Sequence, residues 1–243
     1  MELDTKAVVD VLRNLGVDTL HHANTVQTSC VFLQHGRLLS RGTVDEKGIE
    51  QTPQKSDDLD KRYGIWYDIF LDSVDIHERA SSRNFYGPVL FRFDLELLNE
   101  DWLPSIWVTK KNPTQWKDGE SAADRYYSSV EEFAAGYRKG DFASMFMLRH
   151  VGGVLCLIPH LRDIVLDDPG WEYQDTDVYS QAVGALRASA WQGGLKSLDI
   201  LKRQCHDACK CSKQYGDVLN DAEAKKKYGK QTVKQFFFMA DDA

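Results

Sequence analysis

The strand-like segments of this chain are short and irregularly spaced, and that constrains the fold more than any other feature. Strand patterns fall at residues 17–22, 37–40, 65–71, 88–95, 106–109, 145–149 and 161–166. The most apolar of them, PVLFRFDL at 88–95, alternates as a half-buried strand should. Between them lie helices and long polar connections rather than one helix per strand. Such an order predicts an α+β domain and disfavours a regularly wound parallel sheet. The phosphate-binding motifs G-x-G-x-x-G and G-x-x-x-x-G-K-[ST] are both absent from the sequence, which removes the usual support for Rossmann and P-loop folds.

Three helices are readable from periodicity and end signals. Val8, Val9, Leu12 and Leu15 form a stripe that Asp4 can cap and Gly16 can close. Asn24 or Thr25 caps a second helix with Val26, Ser29, Cys30 and Leu33 inward, ended by Gly36 in a left-handed turn. Asp177 caps a third that runs to Trp191. A fourth is expected as one piece over 121–138. Residues 42–61 are polar and read as a surface loop. After Gly193-Gly194 the pattern becomes mixed, so a main domain over 1–195 and a C-terminal helical extension over 196–243 are expected.

The 243 residues can bury one sizeable core, and the 42% hydrophobic, 28% charged composition is that of an ordinary globular protein. A net charge of −7 excludes a molecule that traps duplex DNA or anionic membrane by overall charge; a nucleic-acid substrate would need a local groove or stacking surface. No apolar run is long enough for a membrane span, and MELDTKAVVD is too acidic for a signal peptide. Five widely spaced cysteines do not form a disulfide framework. A cytoplasmic protein without membrane contact is expected.

Candidate chemistry begins with TLHHANTV, residues 19–26. A histidine at a strand end, followed by small polar residues at a helix start, presents imidazole, amide and free backbone N–H groups together. That set suits ribose hydroxyls and phosphate oxygens. The plain alternative is an Asn24 cap beside a core histidine.

His21-His22-Ala23-Asn24, with Gly36-Arg37-Leu38-Leu39-Ser40-Arg41 after the helix, resembles the start of DarT-type ADP-ribosyltransferase toxins. YGIWYDIFLDSVDIHERA at 63–80 is similar to that family's aromatic strand, and PVLFRFDLELL at 88–98 to its next core strand. Asn112 falls in an Asn-bearing loop after a strand end, and FASMFMLRH and LRDIVLDD resemble the paired late strands. The likeness covers roughly residues 19–168.

The resemblance implies a split antiparallel sheet with flanking helices, gripping NAD as co-substrate. His22 would bond the adenosine ribose, with Asn24 where the family prefers threonine. Arg62 matches best the arginine that holds the pyrophosphate, with Arg41 as its rival; a bidentate guanidinium suits that task. Tyr67 and Trp66 would stack on the nicotinamide. The family's glutamate at the start of the late strand is missing: Ser144 and Met145 stand there, and Asp141 and Glu132 are the nearest acids upstream. The implied reaction is transfer of ADP-ribose to a nucleobase of single-stranded DNA or RNA, in a bacterial toxin or phage-defence system with an antitoxin or chaperone partner. A protein acceptor, or a non-catalytic nucleotide-binding module, are the alternatives.

Residues 111–143 then read as the acceptor segment, with Trp116, Tyr126, Tyr127 and Tyr137 among Lys110, Lys111, Lys117, Arg125, Arg138 and Lys139. The alternative is an amphipathic helix with its rings inward. Cys205, His206, Cys209 and Cys211 could bind zinc, but a closed site from seven consecutive residues is strained and Cys30 and Cys156 are far off, so no metal is expected. His150 and His160 read as surface residues flanking Gly152-Gly153, and His77, with Asp75 and Glu78, as part of a hydrated turn. The apolar stretch 236–239 would dock on the domain or on a partner.

Overall fold

The computed structural model describes residues 1–52, 54, 56–77, 86–141, 143–173, 175–205, 209 and 237. Strand β1 (Leu3–Asp4) leads into helix α1 (Thr5–Asn14), then β2 (Thr19–Asn24), α2 (Val26–His35) and β3 (Arg37–Leu39). Two short helices follow, α3 (Arg41–Glu46) and α4 (Asp57–Arg62), before β4 (Ile69–Leu71), β5 (Val89–Asp94) and β6 (Ser105–Val108). Next come α5 (Ala122–Arg125), α6 (Val130–Gly136), β7 (Phe146–Leu148), β8 (Val154–Cys156) and β9 (Leu161–Asp168). The hairpin β10 (Glu172–Tyr173) and β11 (Thr176–Asp177), α7 (Val178–Gln192) and β12 (Ile200–Gln204) complete the order.

The expected α+β class holds. Two four-stranded sheets have the orders β1-β6-β7-β4 and β12-β9-β5-β2, and β3 pairs with β8 in a separate ribbon. All pairings are antiparallel except β9 with β12. The two sheets touch at their edges. His21 of β2 and Asp72, just past β4, exchange both backbone hydrogen bonds, at 2.7 and 2.9 Å. Beyond this bridge β2 and β4 share no further ladder among the described residues.

Local chemistry accounts for the helix ends. Asp4 accepts from the Ala7 amide at 2.8 Å, and Asp177 accepts from Ser180 at 2.7 Å. At α2, Thr25 supplies the cap, because β2 continues through Asn24. Gly36 then ends α2 with φ 60°, the left-handed geometry glycine adopts without steric cost. Helices α2 and α7 pack side by side so closely that a Cβ on Gly193 would lie 1.8 Å from the Leu33 carbonyl oxygen. The main core, with Phe32, Phe91, Phe93 and Phe146, runs beneath both sheets.

Four expectations are corrected. Residues 42–61 are not a bare surface loop: Ser40 caps α3, accepting from Thr43 at 3.2 Å, and Val44 and Thr52 are fully buried. The strand expected from residue 65 starts at Ile69, because Gly64 (φ 68°) and the Asp68-to-Ile65 backbone bond make a turn first. The helix expected over 121–138 is two, since Tyr126 is extended and Ser121 and Ser129 each start a new capped helix. Finally, β12 adds an edge strand to the second sheet, so the sheet continues past residue 195. Phe237 is fully buried in the main core; the charged helix expected near the C-terminus and the rest of 236–239 lie outside the described residues.

No helix among the described residues is long and apolar enough to cross a membrane.

Candidate functional site

A cleft of about 1060 Å³, mouth included, opens between the two sheet edges just beyond the His21–Asp72 bridge. One wall is β2, contributing His21 to Asn24, with Thr28 and Phe32 of α2 behind it. The opposite wall is Asp68, Ile69 and Phe70 of the β4 strand and its approach. The polar stretch 40–60 closes one end through Ser40, Arg41, Gln51, Gln54, Ser56 and Asp60, and Tyr86 and Asn112 reach in from the other side.

His22 is held by its backbone surroundings. Its Nδ1 lies 2.9 Å from the Phe70 carbonyl oxygen, so Nδ1 carries the proton and Nε2 keeps its lone pair. The Asn24 side-chain nitrogen lies 3.4 Å from that Nε2, while the Asn24 oxygen accepts from the Thr25 amide at 2.9 Å. Burial pushes the His22 imidazole below its ordinary range; the Phe70 carbonyl opposes this and nearby Arg41 adds to it. The ring is therefore neutral near pH 7.

Arg41 starts α3 and is mostly buried. It donates to the Thr52 carbonyl at 3.0 Å and to Asp57 at 2.7 Å, and its guanidinium sits 5.8 Å from the centre of the Trp66 ring. Its Nε has no hydrogen-bond partner among the described residues. A buried donor left so costs on the order of 1–3 kcal/mol, an imbalance that an anionic ligand would remove.

Two carboxyl groups in the cleft are proton-poised. Asp60 of α4 is pushed up to about 6, chiefly by burial, with a Ser56 hydrogen bond opposing. Asp68 is also pushed up to about 6 by burial, against the pull of Arg149, whose Nε lies 3.0 Å from Asp68 Oδ2. Neither was singled out by sequence. The signal available was weak: both sit in ordinary polar runs, and only the packing of α4 against the cleft takes Asp60 out of water.

The sequence-derived set divides in space. His22, Asn24 and Arg41 meet in the cleft, and Trp66 lies just behind Arg41. Arg62 does not join them: it projects from the end of α4 to an exposed ion pair with Asp118. Tyr67 is half exposed and donates to Glu46 at 2.6 Å, away from the cleft lining. Asp141 is in a turn, accepting from the Ala143 amide at 2.9 Å. Ser144 is fully buried, its Oγ without a hydrogen-bond partner among the described residues, next to Met145, which does line the cleft. Glu132 pairs with Lys110 on the outside of α6.

The aromatic acceptor surface expected over 111–143 is absent among the described residues. Trp116, Tyr126, Tyr127 and Tyr137 flank the two short helices and are all buried, packed edge-on against Trp107, Phe133, Phe146 and one another. Lys110 and Lys111 are ion-paired, Arg125 stacks on Tyr63 and Trp116, and Arg138 and Lys139 bind backbone carbonyls. His150 is exposed as expected, 3.7 Å from Glu2, but His160 is largely buried at 2.7 Å from Glu100. The hydrated turn expected around His77 is corrected too: its imidazole is largely buried beside Asp167 and Cys209.

Compared with known proteins, the chain matches no family model and no curated sequence.

Proposed function

We propose that the cleft binds NAD as co-substrate and that the chain transfers ADP-ribose from it. The observation that carries this reading is that His22, Asn24 and Arg41 line one cleft between two sheet edges. A ribose hydroxyl would take the place of the Asn24 amide, now 3.4 Å away, at the neutral His22 Nε2, freeing that amide to donate to the ligand. Arg41 offers an unpartnered Nε–H and a fixed cation to a pyrophosphate.

In the reaction, the bond between the ribose C1′ and the nicotinamide nitrogen breaks, and nicotinamide leaves as a neutral molecule. A nucleophilic atom of the acceptor then bonds to C1′ and gives up its proton. Asp60, close to half-protonated near pH 6, takes that proton. Asp60 replaces Asp141 in this role because it lines the cleft and Asp141 does not.

The acceptor, a nucleobase in single-stranded DNA or RNA, rests on the family resemblance, as does a role as a bacterial toxin or phage-defence effector held by an antitoxin or chaperone. Burial of the 111–143 aromatics favours a second reading, a protein acceptor. Ser144 and Met145 in place of the family's glutamate favour a third, a nucleotide-binding module without chemistry.

Incubation with NAD and either oligonucleotides or lysate protein, followed by mass spectrometry, tests the reading. We expect ADP-ribose on the oligonucleotide and free nicotinamide in equal amount. An adduct on protein alone supports the second reading, and NAD binding without any adduct the third. Failure to bind NAD at all overturns the proposal.

A further inference from the structure

Away from the cleft, two neighbouring cysteines and a histidine from a distant part of the chain meet in one buried spot. His77 Nε2, Cys205 Sγ and Cys209 Sγ all lie within 4.8 Å of one another, with Nε2 only 3.3 Å from the Cys209 sulfur. Donor atoms around a tetrahedral zinc ion, bonded at about 2.0–2.3 Å, stand roughly 3.5–3.8 Å apart. The cluster therefore needs only small shifts to close on a metal, the 3.3 Å pair opening slightly and any wider pair contracting.

The imidazole is already oriented as a ligand. Its Nδ1 lies 2.9 Å from Asp167 Oδ2, so Nδ1–H donates to the carboxylate and the Nε2 lone pair points at the thiols. Asp167 is fixed in turn: its other oxygen accepts from Arg203 Nε at 2.6 Å. Arg203 also binds Asp75, and Asp75 Oδ1 accepts from the His77 amide at 2.9 Å. A carboxylate behind a histidine, itself held by an arginine, is the outer shell that metal-binding histidines use. Cys205 is anchored too, its amide donating to the Asp168 carbonyl at 2.8 Å.

Charge and softness select the ion. Two thiolates and a neutral imidazole cancel a dication, so the buried group carries no net charge. Sulfur and imidazole donors favour zinc over calcium or magnesium, which take oxygen.

We propose that His77, Cys205 and Cys209 bind one zinc ion, joining the segment after β12 to the turn that follows the sheet-edge bridge. Three protein donors leave a fourth tetrahedral position for a water or a further donor. On binding, each thiol loses its proton to solvent as its sulfur bonds to zinc, with no change of oxidation state. Val74 and Ile76 of the same turn line the cleft, so the ion also steadies one side of the candidate active site.

The test uses the full chain, purified under reducing conditions and analysed for metal by mass spectrometry. We expect one zinc per chain, falling below about a tenth in C209S and in H77A, and unchanged in C156S, whose sulfur is exposed and remote. Replacement by cobalt should give a thiolate-to-metal charge-transfer band in the wild type that C209S lacks. Should C209S fold poorly, D167N serves instead. It keeps all three donors and should weaken zinc roughly 10–100-fold, the usual loss for such an outer-shell partner. Absence of copurified zinc together with no binding of added zinc overturns the proposal, as does a Cys205–Cys209 disulfide in the reduced protein or equal loss in C156S. None of these readouts depends on NAD.

Discussion

The His22 imidazole is tied to the Phe70 carbonyl oxygen at 2.9 Å, across the line where the two sheets part. That single bond fixes the tautomer and turns Nε2 toward Asn24. In H22A the acceptor is lost. We expect NAD affinity to fall about twofold to tenfold, as for loss of a neutral hydrogen bond worth roughly 0.5–1.5 kcal/mol. Isothermal titration of the variant against the wild type measures it.

The depressed His22 and His21 imidazoles set a pH dependence. Both are lowered chiefly by burial, so the folded state keeps them neutral where the unfolded chain protonates. The unfolded state then binds more protons below about pH 6.5, and these groups' contribution to stability falls as the pH drops through that value. In H22Q the fall between pH 7 and pH 5.5 should be shallower than in the wild type, as read from denaturation midpoints at each pH.

Asp60 acts in the opposite sense. Its folded value is raised to about 6, so the folded state holds the extra proton between about pH 4 and 6, and stability is lost as the pH rises through that window. D60N removes the buried charge. It should stabilise the fold at pH 7 by on the order of 1–2 kcal/mol, less than the full shift because the site is partly wet, and by almost nothing at pH 4. Transferase activity should drop at least a hundredfold in the same variant. Thermal midpoints at the two pH values, with a nicotinamide-release assay, check both halves.

Two glycines of α7 and its C-cap, one at the contact with α2 and one in open space, give a paired test of packing. Gly193 meets the Leu33 carbonyl so closely that G193A must push α7 away from α2, at a cost of about 2–4 kcal/mol. Gly184, inside α7, has open space around its Cβ position, so G184A should stabilise by about 0.5–1 kcal/mol. Urea unfolding of the two variants gives both values.

Much of this fold is legible in the sequence where the determinants are local. Caps at Asp4 and Asp177, the stop at Gly36 and the alternation at 88–95 carry their elements outright. The short helices α3 and α4 are not legible that way, because they carry few apolar residues and gain order only by closing the cleft. The β12 strand escapes too: as an edge it has no fully buried residue, exposes Leu201, Lys202 and Gln204, and shows neither an apolar run nor alternation. At the site, TLHHANTV points to the cleft, but chain position favours Arg62 over Arg41, the arginine that lines the cleft. Only the direction of α4 separates them, carrying Arg62 out to Asp118. The zinc donors were half visible, since the cysteines are neighbours in sequence whereas His77 joins them only through the fold.

The most direct test is NAD titration calorimetry on the wild type, R41A and R62A. One saturable site is expected, with affinity lost at least a hundredfold in R41A and unchanged within twofold in R62A. No saturable heat with the wild type, or a loss in R62A as large as that in R41A, would contradict a dinucleotide site built on His22, Asn24 and Arg41.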